Sequence, residues 1–252
     1  MDDRQNSDWA AQLAAAQAWW REAGVDLAFA DAPTDWLAGA RDRAPPAPSA
    51  TPTAAGREPR APAPPPARIG GDRSRWPAAL ADFGAWWLTE PSLDPAPAAR
   101  RVLPAGSVGA PLMVLVATPE PEDREALLSG IQGRLLDAIL AAFGTPRPEA
   151  YLASALPSHA PLADWAALAA AGMGEVLAHH IALAAPQRLI VFGRDVSPLL
   201  GHDPAQAAQS SLRFNHDGLS VPLLYAPSLE ALLERPALKR ALWRRWLDWT
   251  ET

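Results

Sequence analysis

The sequence predicts an α/β protein: a three-layer α/β/α domain around a central four-stranded parallel sheet, preceded by a small helical module and a Pro-rich linker. Three observations carry this. Four short apolar runs, residues 112–116, 151–155, 188–192 and 221–225, suit strands covered on both faces. Helical periodicity separates most of them, which implies βαβ units with right-handed crossovers. The first 75 residues differ in charge and composition from the rest, which sets boundaries at 1–43, 44–75 and 76–252.

Within the module, Trp9, Leu13, Ala16 and Trp20 recur at spacings of three and four, one apolar helix face, with Ser7 as N-cap and Gly24 as terminator. A second short element is expected at 33–37. A module this small cannot bury a stable core alone, so it is expected to dock on the main domain or on a protein partner. Residues 44–67 hold nine prolines in 24 positions and lack the apolar residues to fold, so they predict a flexible, extended tether. Residues 76–88 resume helical spacing through Leu80, Phe83, Trp87 and Leu88, and a Pro/Gly-rich connection leads to the strand at 112–116. Helix 124–143, strand 151–155, helix 162–184, strand 188–192, a loop carrying His202 and His216, strand 221–225 and helix 229–249 follow.

Composition narrows the function. The chain has 252 residues, a net charge of −6 and no cysteine, which excludes disulfides, thiolate metal sites and cysteine nucleophiles. Residues 1–40 carry two arginines against seven acids, while residues 41–75 carry seven arginines against three acids. An overall acidic chain is not a nonspecific coat for nucleic acid. No apolar run is long enough to span a bilayer, and the start is acidic where a secretory signal is basic, so no membrane partner and a cytoplasmic location are expected.

Conventional motifs are absent. No glycine-rich phosphate loop follows a strand, and Ser158-His159 lacks a nucleophile elbow. His179 and His180 point about 100° apart on a helix, and so predict a partly exposed, satisfied pair rather than a ligand face. His202, His216 and Asp217 share no recognised metal spacing, so neither a metal nor a cofactor is expected. Four strand-end loops, 117–123, 154–161, 192–198 and 226–230, should converge at the carboxyl edge of the sheet, where open α/β folds bind ligands.

The carboxyl-terminal segment runs Pro-Leu-Leu-Tyr-Ala-Pro-Ser-Leu-Glu-Ala-Leu-Leu-Glu-Arg-Pro from Pro222, then reaches Lys239 and Trp243. It resembles the last motif of the iron–sulfur-type branch of the uracil-DNA glycosylase superfamily through Pro227, Ser228, Leu232, Leu233, Pro236, Lys239 and Trp243. The strand ending at Phe192-Gly193 and the run Pro119, Glu122, Asp123, Gly130, Gly133 are similar to earlier motifs of that family. The resemblance implies a DNA partner and a groove built from Thr118, Pro119, Ser154, His159, Phe192, Gly193, Pro227, Ser228 and Lys239. It also marks departures. The position for water activation is Ala117, that for stabilising the leaving anion is Ala226, that for reading the uracil edge is Ser154, and the aromatic floor falls near Leu128. The loop glycine is Glu120, whose side chain should intrude on the site, and the cluster cysteines are missing. The expectation is therefore a uracil-DNA glycosylase-like, DNA-repair-associated protein that is catalytically degenerate for ordinary uracil excision. Two readings stand beside it: a divergent DNA glycosylase hydrolysing the N-glycosidic bond through a relocated carboxylate, Glu120, Glu122 or Asp123, and a protein-interaction scaffold without a nucleic-acid role.

Overall fold

The computed structural model describes residues 3–22, 68–94, 100–203 and 212–250. The chain divides into two compact units, Met1–Ala63 and Pro64–Thr252. In the first, α1 is a helix over Asp3–Glu22, so Ser7 lies inside it rather than capping it. Its Trp9, Trp19 and Trp20 are 63%, 60% and 53% exposed. The element expected at 33–37 and the tether at 44–67 lie outside the described residues.

The second unit is a mixed α/β domain with helices on both faces of one sheet. Its strands are β1 (Met113–Val116), β2 (Tyr151–Ser154), β3 (Leu189–Phe192), β4 (Leu212–His216) and β5 (Leu219–Ala226), in the order β2-β1-β3-β5-β4. The first three pair in parallel, and β3 pairs in parallel with β5. The four-strand expectation is corrected here: β4 is a fifth strand, antiparallel to β5, in the stretch read as a loop, and His216 sits on it. Asp217 and Gly218 close that hairpin with φ of 44° and 84°. Positive φ at both central residues is the type I′ geometry that Asp-Gly favours, because its twist matches the flanking strands.

Period-two alternation divides the core into two layers. On one face Met113, Leu115, Leu189, Val191, Leu223 and Tyr225 pack with α2 (Leu80–Thr89), α4 (Trp165–Ala170) and α5 (Met173–Ala184). On the other, Val114, Val116, Ile190, Phe192 and Leu224 pack with α3 (Ile131–Ala142), α6 (Leu229–Glu234) and α7 (Pro236–Thr250). Phe143 stacks on Trp246 there, ring centres 3.7 Å apart and nearly parallel.

Three helices differ from expectation, each for a local reason. Helix 162–184 is two helices, because Gly172 adopts φ 103° between them and Asp164 caps the first through Ala167 N–H. Helix 229–249 breaks at Arg235, which is extended ahead of Pro236, as the ring of a proline demands of its predecessor. Helix 124–143 starts only at Ile131, for reasons given with the site. Residues 68–75, assigned to the tether by composition, are built into the domain: Ile69 N–H bonds Ala171 O at 2.9 Å, and Trp76 Nε1–H bonds Gly70 O at 2.7 Å.

His180 is also corrected, from partly exposed to fully buried. Its ring stacks on Phe83 at 4.0 Å, its Nε2 is 2.8 Å from the Tyr151 hydroxyl, and its Nδ1 has no partner. Burial, with a smaller push from His179, holds the imidazole down to about 3. Burial also raises the Tyr151 hydroxyl. His179 instead bonds Pro77 O at 2.8 Å.

Candidate functional site

The loop from β1 to α3 decides what the site can do. Asp123 is 1% exposed, and both its oxygens are occupied. Oδ2 accepts from Glu120 N–H at 2.9 Å and Leu128 N–H at 2.8 Å; Oδ1 accepts from Ser129 N–H at 2.8 Å and Ser129 Oγ–H at 2.7 Å. Side-chain acceptors of this kind compete with helical bonding, which is why 124–130 is a loop and not the first turns of α3.

Glu120 lines the groove described below, as its alignment suggested, but its carboxylate is engaged there by backbone N–H groups. It turns back to the start of α3, where its carboxylate accepts from Gly130 N–H at 3.2 Å and Gln132 N–H at 3.3 Å. Unpaired N–H groups and the helix dipole favour a negative charge there. Leu128, where an aromatic floor was expected, is buried with φ 55°, and its carbonyl lies against Gly133, where a Cβ would collide with it. Arg147 completes the clamp, donating to the carbonyls of Leu127 at 2.6 Å and Leu128 at 3.2 Å while pairing with Asp137. Glu122 is exposed and lines none of the cavities described below.

At the carboxyl ends of β1, β3 and β5 lies a groove of about 480 Å³. Of the residues expected there, Thr118, Pro119, Glu120, His159, Phe192 and Ser228 line it. Ser228 also caps α6 through Ala231 N–H. Four others do not line it. Ser154 is buried with its hydroxyl donated to Leu156 O at 2.7 Å, so it cannot read a base edge. Gly193 is buried, its N–H on Ala226 O, and Pro227 lies beside the groove rather than in its wall. Lys239 belongs elsewhere, to an apolar cleft of about 300 Å³ between α3 and α7.

The structure adds residues that the motif reading missed: Gln132, Trp165, Asp195 and Glu230 also line the groove. The last two lie inside the strand-end loops 192–198 and 226–230 already read from the sequence, where their charge at the sheet edge was the signal that could have singled them out. The result is a groove with three carboxylates, Glu120, Asp195 and Glu230, and, among the described residues, no lysine or arginine in its wall. Adjoining it is a notch of about 290 Å³ that shares Pro119, Glu120, Pro121 and His159 and adds Arg100 and Arg124. A fourth, largely apolar cavity of about 690 Å³ lies between Leu93, Leu156 and α4, again touching His159.

Neither Ser158 nor the histidines form a catalytic or metal constellation. Ser158 donates its hydroxyl to Asp94, while the His159 Nδ1 lies 2.9 Å from Pro119 O; a carbonyl only accepts, so Nδ1 carries the proton. His202 meets Tyr225 and His216 meets Asp217, and among the described residues no group of three or more His, Asp or Glu could hold a metal ion. Compared with known proteins, the sequence matches no family model, and no curated protein is similar enough to count as a match.

Proposed function

We propose that this is a uracil-DNA glycosylase-like, DNA-repair-associated protein that has lost ordinary uracil excision and serves as a DNA-binding adaptor. The resemblance in its motifs supports the superfamily, and the order and direction of β1, β2, β3 and β5 are compatible with it. One observation carries the loss of catalysis: among the described residues the groove wall holds three carboxylates and no lysine or arginine. Cleaving an N-glycosidic bond to uracil develops negative charge on the departing base, and a groove of that charge raises the barrier instead of lowering it.

The loop geometry supports the same reading. Ala117 and Ala226 offer no side-chain group for water activation or anion stabilisation, and Asp123 and Glu120 are committed to holding the loop. A relocated carboxylate at Asp123 would have to abandon two buried N–H partners, and one at Glu120 two partly buried ones. The adaptor part rests on α1, whose exposed tryptophans give a surface for a protein partner. An abasic-product assay on uracil-containing DNA, run beside a salt-dependent DNA-binding titration, tests the proposal. Binding without excision is expected; excision would restore the enzyme reading, and absence of both would leave the scaffold.

A further inference from the structure

The notch beside the groove sets two arginines, Arg100 and Arg124, against two carboxylates, where the groove lining among the described residues has no lysine or arginine. Glu120 and Asp123 reach its wall, but their oxygens are engaged by backbone N–H groups and by Ser129. Arg124 places one terminal nitrogen on the carbonyls of Pro121 and Asp123, at 2.8 and 2.7 Å, which fixes the guanidinium at the rim. Arg100 is exposed, and among the described residues neither arginine is ion-paired. Guanidinium groups stay charged at any working pH and match phosphate oxygens in a two-pronged geometry. Two of them on one small concavity, with the local carboxylates already satisfied, make a place for an oxyanion.

We infer that this notch receives a backbone phosphate of single-stranded DNA, with Arg100 and Arg124 as its cations and the adjoining base directed into the groove. The inference rests on the reading that the chain binds DNA, and specifies where. The notch and groove share walls at Pro119, Glu120, Pro121 and His159, so a phosphate in one puts the attached nucleotide at the mouth of the other. Asp195 and Glu230, which line the groove and not the notch, repel phosphate but can accept hydrogen bonds from base amino groups, which sorts the two parts of a nucleotide between the two sites. A base inside a duplex must first be unpaired and unstacked to enter, a cost that a single strand largely avoids, which favours a single strand.

The test titrates the full-length protein into a fluorescein-labelled single-stranded DNA 20-mer of mixed sequence, read by anisotropy at several salt concentrations. The double variant Arg100→Ala/Arg124→Ala should bind about tenfold more weakly, with the salt slope reduced by roughly one. Lys239→Ala, in the cleft between α3 and α7, should match wild type. Because Arg124 also braces the loop, Arg100→Ala alone and the charge-keeping Arg124→Lys are run too: the first should weaken binding several-fold, and the second should retain most of it. If wild type binds and the double variant binds equally well, the notch assignment is overturned while DNA binding stands. If wild type binds no DNA, both fall, before any variant is compared. Unlabelled RNA of the same sequence competing better than DNA would reassign the ligand to RNA. Displacement by millimolar inorganic phosphate at constant ionic strength would reassign it to the free anion.

Discussion

Replacing Asp123 separates a structural carboxylate from a catalytic one. Its side chain accepts four hydrogen bonds, of which those from Glu120 N–H and Leu128 N–H are buried. A buried donor left without a partner costs about 1–3 kcal/mol, so the two together cost about 2–6 kcal/mol. The two bonds from Ser129 are only partly buried, and water can replace them at little cost. Asp123→Ala should therefore lower unfolding free energy by about 3–5 kcal/mol, a large fraction of the ~5–15 kcal/mol typical of a domain. Asp123→Asn keeps one oxygen for Glu120 and Leu128 and turns its amide towards Ser129, whose hydroxyl can accept, so its loss should be nearer ~1–2 kcal/mol. Urea unfolding followed by far-UV circular dichroism measures the order, wild type above Asn above Ala. If Asp123→Ala lies within ~0.5 kcal/mol of wild type, the carboxylate does not organise this loop and the structural assignment fails.

His180 predicts an acid-labile core. Its folded value of about 3 lies below the unfolded value of 6.5, so the unfolded chain binds the extra proton between them. Stability is complete above pH 6.5 and falls as pH drops towards 3, by up to about 1.4 kcal/mol per unit, or roughly 2 kcal/mol by pH 5. His180→Gln should lose that component of the slope; parallel pH profiles for variant and wild type would refute it. Gly133→Ala drives a Cβ into the Leu128 carbonyl, and thermal melting should show a loss at the upper end of the ~1–3 kcal/mol expected for overpacking, where an unchanged melting temperature would mean the loop gives way freely. Asp195 and Glu230 in the groove can accept from cytosine N4 but would face an acceptor at thymine O4, so oligo(dC) should compete for labelled single-stranded DNA better than oligo(dT), and the reverse order would count against a base in the groove.

The layered α/β architecture was legible because each buried strand is a continuous apolar run bounded by turns. What was missed has identifiable physics. The antiparallel β4 was hidden because Leu212 to His216 alternates inward and outward and lacks a solid apolar run, yet Asp217-Gly218 two residues from Ser220 was a hairpin signal on the page of the sequence itself. The late start of α3 was invisible to periodicity, since the acceptors that unwind it are Asp123 and Glu120, upstream in the chain. The same two residues, taken from sequence as candidate catalytic acids, became structural once their partners were seen. Helical spacing read His180 as half of a partly exposed pair and could not tell that α2 would cover it with Phe83 and Trp87. The groove's acidity was the least legible feature, because Glu120, Asp195 and Glu230 come from three loops that only the sheet brings together.

Single-turnover excision on uracil-containing single-stranded DNA, with abasic product resolved after strand cleavage, tests the loss of catalysis most directly. The account predicts no product above the uncatalysed background for wild type, and none for Glu120→Gln, Glu122→Gln, Asp123→Asn, Asp195→Asn or Glu230→Gln. Restoring a donor with Ala226→His should add little while the groove carboxylates remain, although a donor to a developing anion is typically worth about a hundredfold to a thousandfold in rate. Rapid excision by wild type that a single one of those carboxylate substitutions abolishes would contradict it.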